Sequence, residues 1–294
     1  MTSLSSLTKA AADLFEEGYL GGQSLRVKTV NDVGLEVLVE GELTPRGAQG
    51  SISASTKTPR ALFNLDKLRL KTDGRLAGDA SYILSNDPEV DSRLYVAFED
   101  GRQEPGKPLK SFGKAGSKLK SRSFDLDASI DVVNGPTLRA AALYQNAKSN
   151  LSFGVEAQVN THWEEKQSMS VGSELEDLNM AVAYTTPQWS LSGRTTERAR
   201  SITLAYLHHI APNFLVGSQL HYGLDSPVQT LKLGVNWDVD NLTTVKGKVD
   251  SAAIVSASFK RQLADYAKLT ICATVDAQNL SADSHKFGIG LAFE

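Results

Sequence analysis

From residue 24 onward, apolar and polar residues alternate with a period of two, and the alternation resumes after every turn signal. Leu25 and Val27 oppose Arg26 and Lys28, and Leu35, Val37 and Val39 oppose Glu36 and Glu40, with Leu38 as an apolar exception on the polar side. Phe124, Leu126, Ala128, Ile130 and Val132 oppose Asp125, Asp127, Ser129 and Asp131; Leu151, Phe153, Val155, Ala157 and Val159 oppose Ser152, Gly154, Glu156 and Gln158. The same two faces recur in 231–237, in 268–275 and in the final residues, where Phe287, Ile289, Leu291 and Phe293 oppose Lys286, Gly288, Gly290 and Ala292. A period of two is the signature of a strand with two different surroundings. Turn signals such as N-G-P at 134–136, A-P-N at 211–213, D-S-P at 225–227 and D-V-D-N at 238–241 separate the runs, so the chain reads as hairpin after hairpin, about 19 strands in all, and βαβ folds are excluded.

One segment keeps the helical period instead. In 5–20, Leu7, Ala11 and Leu14 repeat at i, i+4 and i+7, with Ser5 or Ser6 available as a cap and Gly18 as a stop. Two further segments resist the alternation, 100–121 and 160–174. The first is basic and rich in Gly and Pro, and reads as a solvated loop with a weak strand inside it. The expected organisation is therefore an N-terminal amphipathic helix over 1–22 and a β-domain over 23–294 that carries 100–121 and 160–174 as loop insertions.

The chemistry of the two faces decides between a soluble sandwich and a membrane barrel. A sandwich buries one face of each sheet against the other and wets the outside. Here the apolar faces are Leu, Val, Ile and Ala, while the opposite faces hold Gly, Ser, Thr and charges of both signs, too polar for a packed interior and suited to a water-filled lumen. Strands of about ten residues also match the length a tilted strand needs to cross a bilayer. A transmembrane β-barrel with the helix in its lumen follows. Mean hydropathy of -0.23 does not contradict it, because half of every strand faces water.

Composition narrows the function. The net charge of -3 over 294 residues makes no case for nucleic acid. The single cysteine, Cys272, cannot form an intramolecular disulfide. The sequence carries no P-loop, G-x-S-x-G, H-E-x-x-H or paired-cysteine motif, so neither an enzyme nor a cofactor or metal site is expected. His208, His209 and His221 invite a metal reading, but adjacent strand residues point to opposite faces. The first residues lack the apolar run of a secretory signal, which favours a mitochondrial or plastid outer membrane over a bacterial one.

Several segments together resemble the voltage-dependent anion channel, or mitochondrial porin, family, with this chain as a divergent member. L-T-K-A-A-A-D-L-F-E-E-G-Y resembles the family's lumenal helix through Lys9, Asp13, Leu14, Phe15, Gly18 and Tyr19; D-V-V-N-G-P-T-L-R resembles its Gly-Pro hairpin through Gly135, Pro136 and Arg139. The last fifty or so residues match most closely, and the tail resembles the mitochondrial sorting signal on Lys286, Gly288, Leu291 and Phe293. The departures are equally visible. Ala12 and Glu17 stand where basic helix residues are usual, Arg93, Leu94 and Tyr95 replace a Gly-Leu-Lys segment associated with nucleotide contact, and a membrane-facing glutamate known in some members has no counterpart near 61–64.

The resemblance implies a mitochondrial outer-membrane porin: an aqueous, weakly anion-selective, voltage-gated channel whose partners are the bilayer, small anionic metabolites and ions in transit, and copies of itself or a larger membrane complex. The alternatives are the protein-import pore of the outer-membrane translocase and a barrel serving as a structural subunit. The alternation places Arg26, Lys28, Arg139, Lys232, Lys246, Lys248, Lys260, Lys268 and Lys286 on the pore lining, against Glu36, Glu40, Asp125, Asp127, Asp131 and Glu156. A gating helix would present Lys9, Asp13, Phe15, Glu16, Glu17 and Gly18.

Overall fold

The structure, a computed structural model, describes residues 4–294 apart from 33, 45–46, 57–61, 88, 101–110, 134–135, 147, 164–170, 226–228 and 281–284. A 3-10 turn at Leu4–Ser6 and one α-helix, α1 (Lys9–Phe15), precede nineteen strands. These are β1 (Gln23–Val30), β2 (Leu35–Thr44), β3 (Gly47–Thr56), β4 (Phe63–Lys71), β5 (Leu76–Asn86), β6 (Val90–Glu99), β7 (Phe112–Ser121), β8 (Phe124–Asp131), β9 (Thr137–Asn146) and β10 (Leu151–Trp163). The second half comprises β11 (Val171–Thr185), β12 (Trp189–Thr196), β13 (Ser201–Ala211), β14 (Phe214–Gly223), β15 (Gln229–Asp240), β16 (Thr243–Asp250), β17 (Ile254–Ala264), β18 (Ala267–Asp276) and β19 (Lys286–Phe293).

Every strand pairs with its neighbours in sequence, and β1 pairs with both β2 and β19, so the sheet closes on itself. With an odd number of strands, up-and-down alternation cannot be kept all the way round. One contact must be parallel, and it falls at the closure, where Gln23–Val27 run alongside Ile289–Phe293. Closure leaves no edge strand, which is what a sheet in lipid requires, because unpaired N–H and C=O groups there have no water to bond.

Two boundaries differ from the sequence reading. The weak strand expected inside the loop over 100–121 is the regular strand β7, Phe112 to Ser121, paired along its length with β6; its Gly and Lys residues hid an alternation whose lipid side is Gly113, Ala115, Ser117, Leu119 and Ser121. The ends of 160–174 belong to β10 and β11, and 101–110, 164–170 and Gly135 of the Gly-Pro hairpin lie outside the described residues. The helix is also shorter than 5–20: α1 has seven residues, and its N-cap is Thr8 rather than Ser5 or Ser6.

Strand β4 shows how the barrel keeps its outer face apolar. Phe63 and Leu65 sit at odd positions and Leu68 and Leu70 at even ones, so a regular strand would turn one pair into the lumen. A bulge intervenes. Leu65 pairs with Ala80 and Lys67 with Asp79, leaving Asp66 as the extra residue, and both leucine pairs then face outward. Deleting Asp66 would restore an unbroken alternation, so that variant should still refold to a heat-modifiable barrel in detergent. Deleting Leu65 instead forces Asp66 toward lipid and should lower the refolded fraction in the same gel assay.

Candidate functional site

The helix identifies the inner surface. Phe15 is fully buried, Leu14 and Leu4 are 2% exposed, and Ala11, Leu14 and Phe15 pack with Ala205 and Leu207 of β13. The wall makes room for them by omitting side chains. A Cβ added at Gly217 would lie 2.6 Å from Leu14 Cδ2, one at Gly234 2.8 Å from Phe15 Cε1, and one at Gly154 2.5 Å from Leu4 Cδ2. Past the helix, Leu20 rests against Gly288 and Gly290 of β19.

The C-terminal end of α1 is held by polar groups of the wall. Its last carbonyls have no partners within the helix, and Lys246 Nζ donates to Asp13 O at 2.6 Å and Glu17 O at 3.4 Å, while Lys248 Nζ donates to Phe15 O at 2.6 Å. Two ammonium groups also suit the negative end of the helix dipole. Gly18 adopts φ +88 and turns the chain away, which any side chain would resist. Its carbonyl accepts from Ser258 Oγ at 2.7 Å and from Cys272 Sγ at 3.0 Å. The Tyr19 ring lies 4.0 Å from Lys248 Nζ. Burial, followed by the nearby Cys272, pushes the Tyr19 phenol up to about 12, so it stays neutral and presents a π face to the lysine. Between Tyr19–Gly21 and the wall lies a recess of about 330 Å³ lined by Lys232, Lys248 and Lys286 and by the hydroxyls of Ser256 and Thr274.

Cross-strand register carries this inner face around the barrel. Gly217 pairs with Gly234, Gly234 with Lys248, Lys246 with Ser258, Ser258 with Cys272 and Cys272 with Gly288. On the same side of their strands lie Lys232, Lys260, Lys268 and Lys286, then Arg26 opposite Ala292 across the parallel seam and Glu40 opposite Arg26. Lys28, Glu36, Asp125, Asp127, Asp131, Arg139 and Glu156 share that side by the same pairings. The other side is apolar: Leu233 is 50% and Phe287 73% exposed. Leu38, the exception in β2, is on the inner side and is buried there.

Several of these charges are already paired. Arg26 meets Glu40 at 3.5 Å, Lys28 meets Glu36 at 3.1 Å and Arg139 meets Glu156 at 2.9 Å. Lys268 donates to Glu294, just past β19, and holds that carboxyl below its ordinary range. Asp127 accepts from Tyr95 Oη at 2.7 Å. Asp131 accepts from the backbone N–H of Val133 and Gly113, so its carboxylate is occupied at the β8–β9 turn. Of the tail residues, Lys286 and Gly288 face the lumen side and Leu291 and Phe293 the lipid side. His208 and His209 point to opposite faces; His208 stacks on Tyr206, and His221 bonds Thr203.

The alternation alone did not reveal Gly217, Gly234, Ser258 or Cys272 as the seat of the helix. The available signal was an interruption of long polar side chains by small ones on one side of β14 to β18. The alternation does not reach the lumen-side cations of β7, Lys114, Lys118 and Lys120, because the strand signal there is weak and its faces cannot be assigned from the pattern.

Comparison with known proteins settles the family. A family model described as eukaryotic porin matches residues 1–288. The chain belongs to the eukaryotic porin family. The porin is 26% identical to a voltage-dependent anion-selective channel of Drosophila melanogaster, aligned over 99% of this chain and 98% of that protein. It is 20% identical to mitochondrial outer membrane protein porin 3 of Arabidopsis thaliana over 97% and 95% of the two chains. Among solved structures, a mutant porin of Rh. blastica superposes with a TM-score of 0.54 at 12% identity, covering 87% of this porin and 99% of that chain; that likeness is one of fold alone.

Proposed function

We propose that this porin forms an aqueous channel across the mitochondrial outer membrane for small metabolites and ions, weakly anion-selective and gated by voltage. The observation that carries the reading is a closed barrel of nineteen strands whose inner face is polar and charged and whose helix lies against that face. Barrels of about 16 to 18 strands already enclose open water. The chain divides into the helical segment, 1–22, and the barrel, 23–294. Selectivity in such a pore comes from the potential of the lining charges, without a tight binding site. Lys232, Lys246, Lys248, Lys260, Lys268 and Lys286 crowd β15–β19, while the acids of those strands, Asp238, Asp240, Asp250 and Asp276, cluster near strand ends. This arc supports a preference for anions. Glu16 and Glu17 of the helix segment, with Lys9 and Asp13, stand in the path; charges that move through the membrane field gain about 2.3 kcal/mol each per 100 mV, which supports a voltage response.

The test is single-channel recording of refolded protein in a planar bilayer under a KCl gradient. Large voltage-dependent conductance with modest chloride preference supports the reading. A cation-selective pore blocked by presequence peptides would point to the import translocase, and a folded barrel that conducts nothing to a structural subunit.

A further inference from the structure

The helix is acidic where the wall beneath it is basic. Its segment carries Asp13, Glu16 and Glu17 against Lys9. Asp13 and Glu17 lie within electrostatic reach of Lys246, and Glu16 within reach of Lys248. Elsewhere on the inner wall many cations have carboxylate partners of the wall itself: Arg26 with Glu40, Lys28 with Glu36, Lys71 with Glu99, Arg93 with Asp91 and Arg139 with Glu156. The β15–β19 arc is different. Lys232, Lys260 and Lys286 form no ion pair among the described residues, and Lys246 and Lys248 meet backbone carbonyls of the helix, which satisfy their hydrogen bonds but do not cancel their charge. Asp238 and Asp250 lie within electrostatic reach of Lys246 and Lys248, and Lys268 is paired with Glu294, yet lysines without a salt-bridged carboxylate of the wall remain concentrated beneath the helix segment.

We propose that α1 with its acidic tail is a removable countercharge: seated, it screens the β15–β19 lysine arc, and displaced, it uncovers that arc, so that the chloride preference of the pore rises when the helix leaves its seat. The inference rests on the pore reading above and adds the sign of the coupling. A carboxylate about 10 Å from an ion in water changes the local chloride concentration about twofold before screening, and the Debye length is about 10 Å at 0.1 M. Three carboxylates offset by one ammonium group should therefore shift the chloride-to-potassium permeability ratio about twofold in dilute salt, and less in 1 M KCl, where screening is nearly complete.

Reversal potentials under a KCl gradient test this on three chains: the unaltered protein, the Asp13→Asn/Glu16→Gln/Glu17→Gln variant, which keeps the helix but removes its negative charge, and a chain lacking residues 1–18. Both altered chains should move toward the chloride equilibrium potential, and Lys246→Gln/Lys248→Gln in the shortened chain should take that movement back. The full-length triple variant carries the test where the shortened chain does not fold. A conducting pore whose reversal potential stays put, or moves toward potassium, in either variant overturns the inference and leaves the channel standing. A barrel that folds and conducts nothing overturns both.

Discussion

Phe15→Ala should release the helix from the wall. Phe15 is fully buried between the helix and the glycine at 234, a site shaped to its ring. Truncating a buried Phe typically costs about 3–5 kcal/mol, and every 1.4 kcal/mol is about tenfold, so docking should weaken by roughly a hundredfold or more. The barrel itself should persist, because its strands pair independently of α1. The readout is therefore two-sided. Refolding and heat-modifiable migration should match the unaltered protein, while the N-terminal segment becomes open to protease in proteoliposomes and the open channel grows noisy or loses its voltage dependence. Lys246→Gln with Lys248→Gln should act in the same direction by a separate route. Hydrogen bonds to charged groups contribute about 1.5–3 kcal/mol each, and the two lysines hold the C-terminal carbonyls that nothing in the helix satisfies. Since Phe15 and these lysines clamp adjacent residues, the combined variant should fall short of the sum. Unchanged protease resistance in the Phe15→Ala protein would remove α1 packing from the account of gating.

The same lysines bear on selectivity. From sequence alone, exchanging Lys246 and Lys248 for glutamate would test whether they line the pore. In the structure they hold the helix as well, so that exchange changes two things at once, and a shift in reversal potential would not by itself separate them. Neutral replacements in the chain without its helix do.

Much of this was visible in the order of residues. Period-two alternation depends only on which side of a strand meets lipid, and lipid tolerates no charge, so runs such as Leu151–Val159 announced both the strand and its faces. Strand β7 was obscured because, apart from Leu119, its lipid side is made of Gly, Ala and Ser, residues that the barrel accepts but that carry little hydrophobic signal. The β4 bulge was readable in principle as a change of parity between Leu65 and Leu68. The seat of the helix was harder. Its residues, 217, 234, 246, 258 and 272, sit one to a strand on β14 to β18, and only the cross-strand register lines them up beneath Leu14, Phe15 and Gly18. A glycine on a polar face looks the same whether it faces open water or a leucine. The short helix has a related cause: its last turn is satisfied by Lys246 and Lys248 rather than by its own continuation, so it can stop at Phe15 while the pattern in the sequence runs on to residue 20.

Ile271→Arg and Thr270→Arg, adjacent substitutions near the middle of β18, should have opposite consequences. Ile271 faces outward, 46% exposed among the apolar side chains of β17 and β19. Placing arginine on the lipid face near the bilayer midplane costs about 2–4 kcal/mol, enough to deplete the folded fraction in a reversible bilayer titration with denaturant. Thr270 lies one residue away on the lumen side, paired with Gly290 and Lys260. Arginine there reaches water, so folding should be nearly unaffected, and the added charge should instead move the reversal potential toward chloride. The pair discriminates the facing assignment from a general sensitivity of the strand, because both variants add the same side chain to the same segment. Equal destabilisation would mean that this stretch of the wall is buried on both sides, and a destabilised Thr270→Arg beside a tolerated Ile271→Arg would invert the inner and outer faces of the barrel.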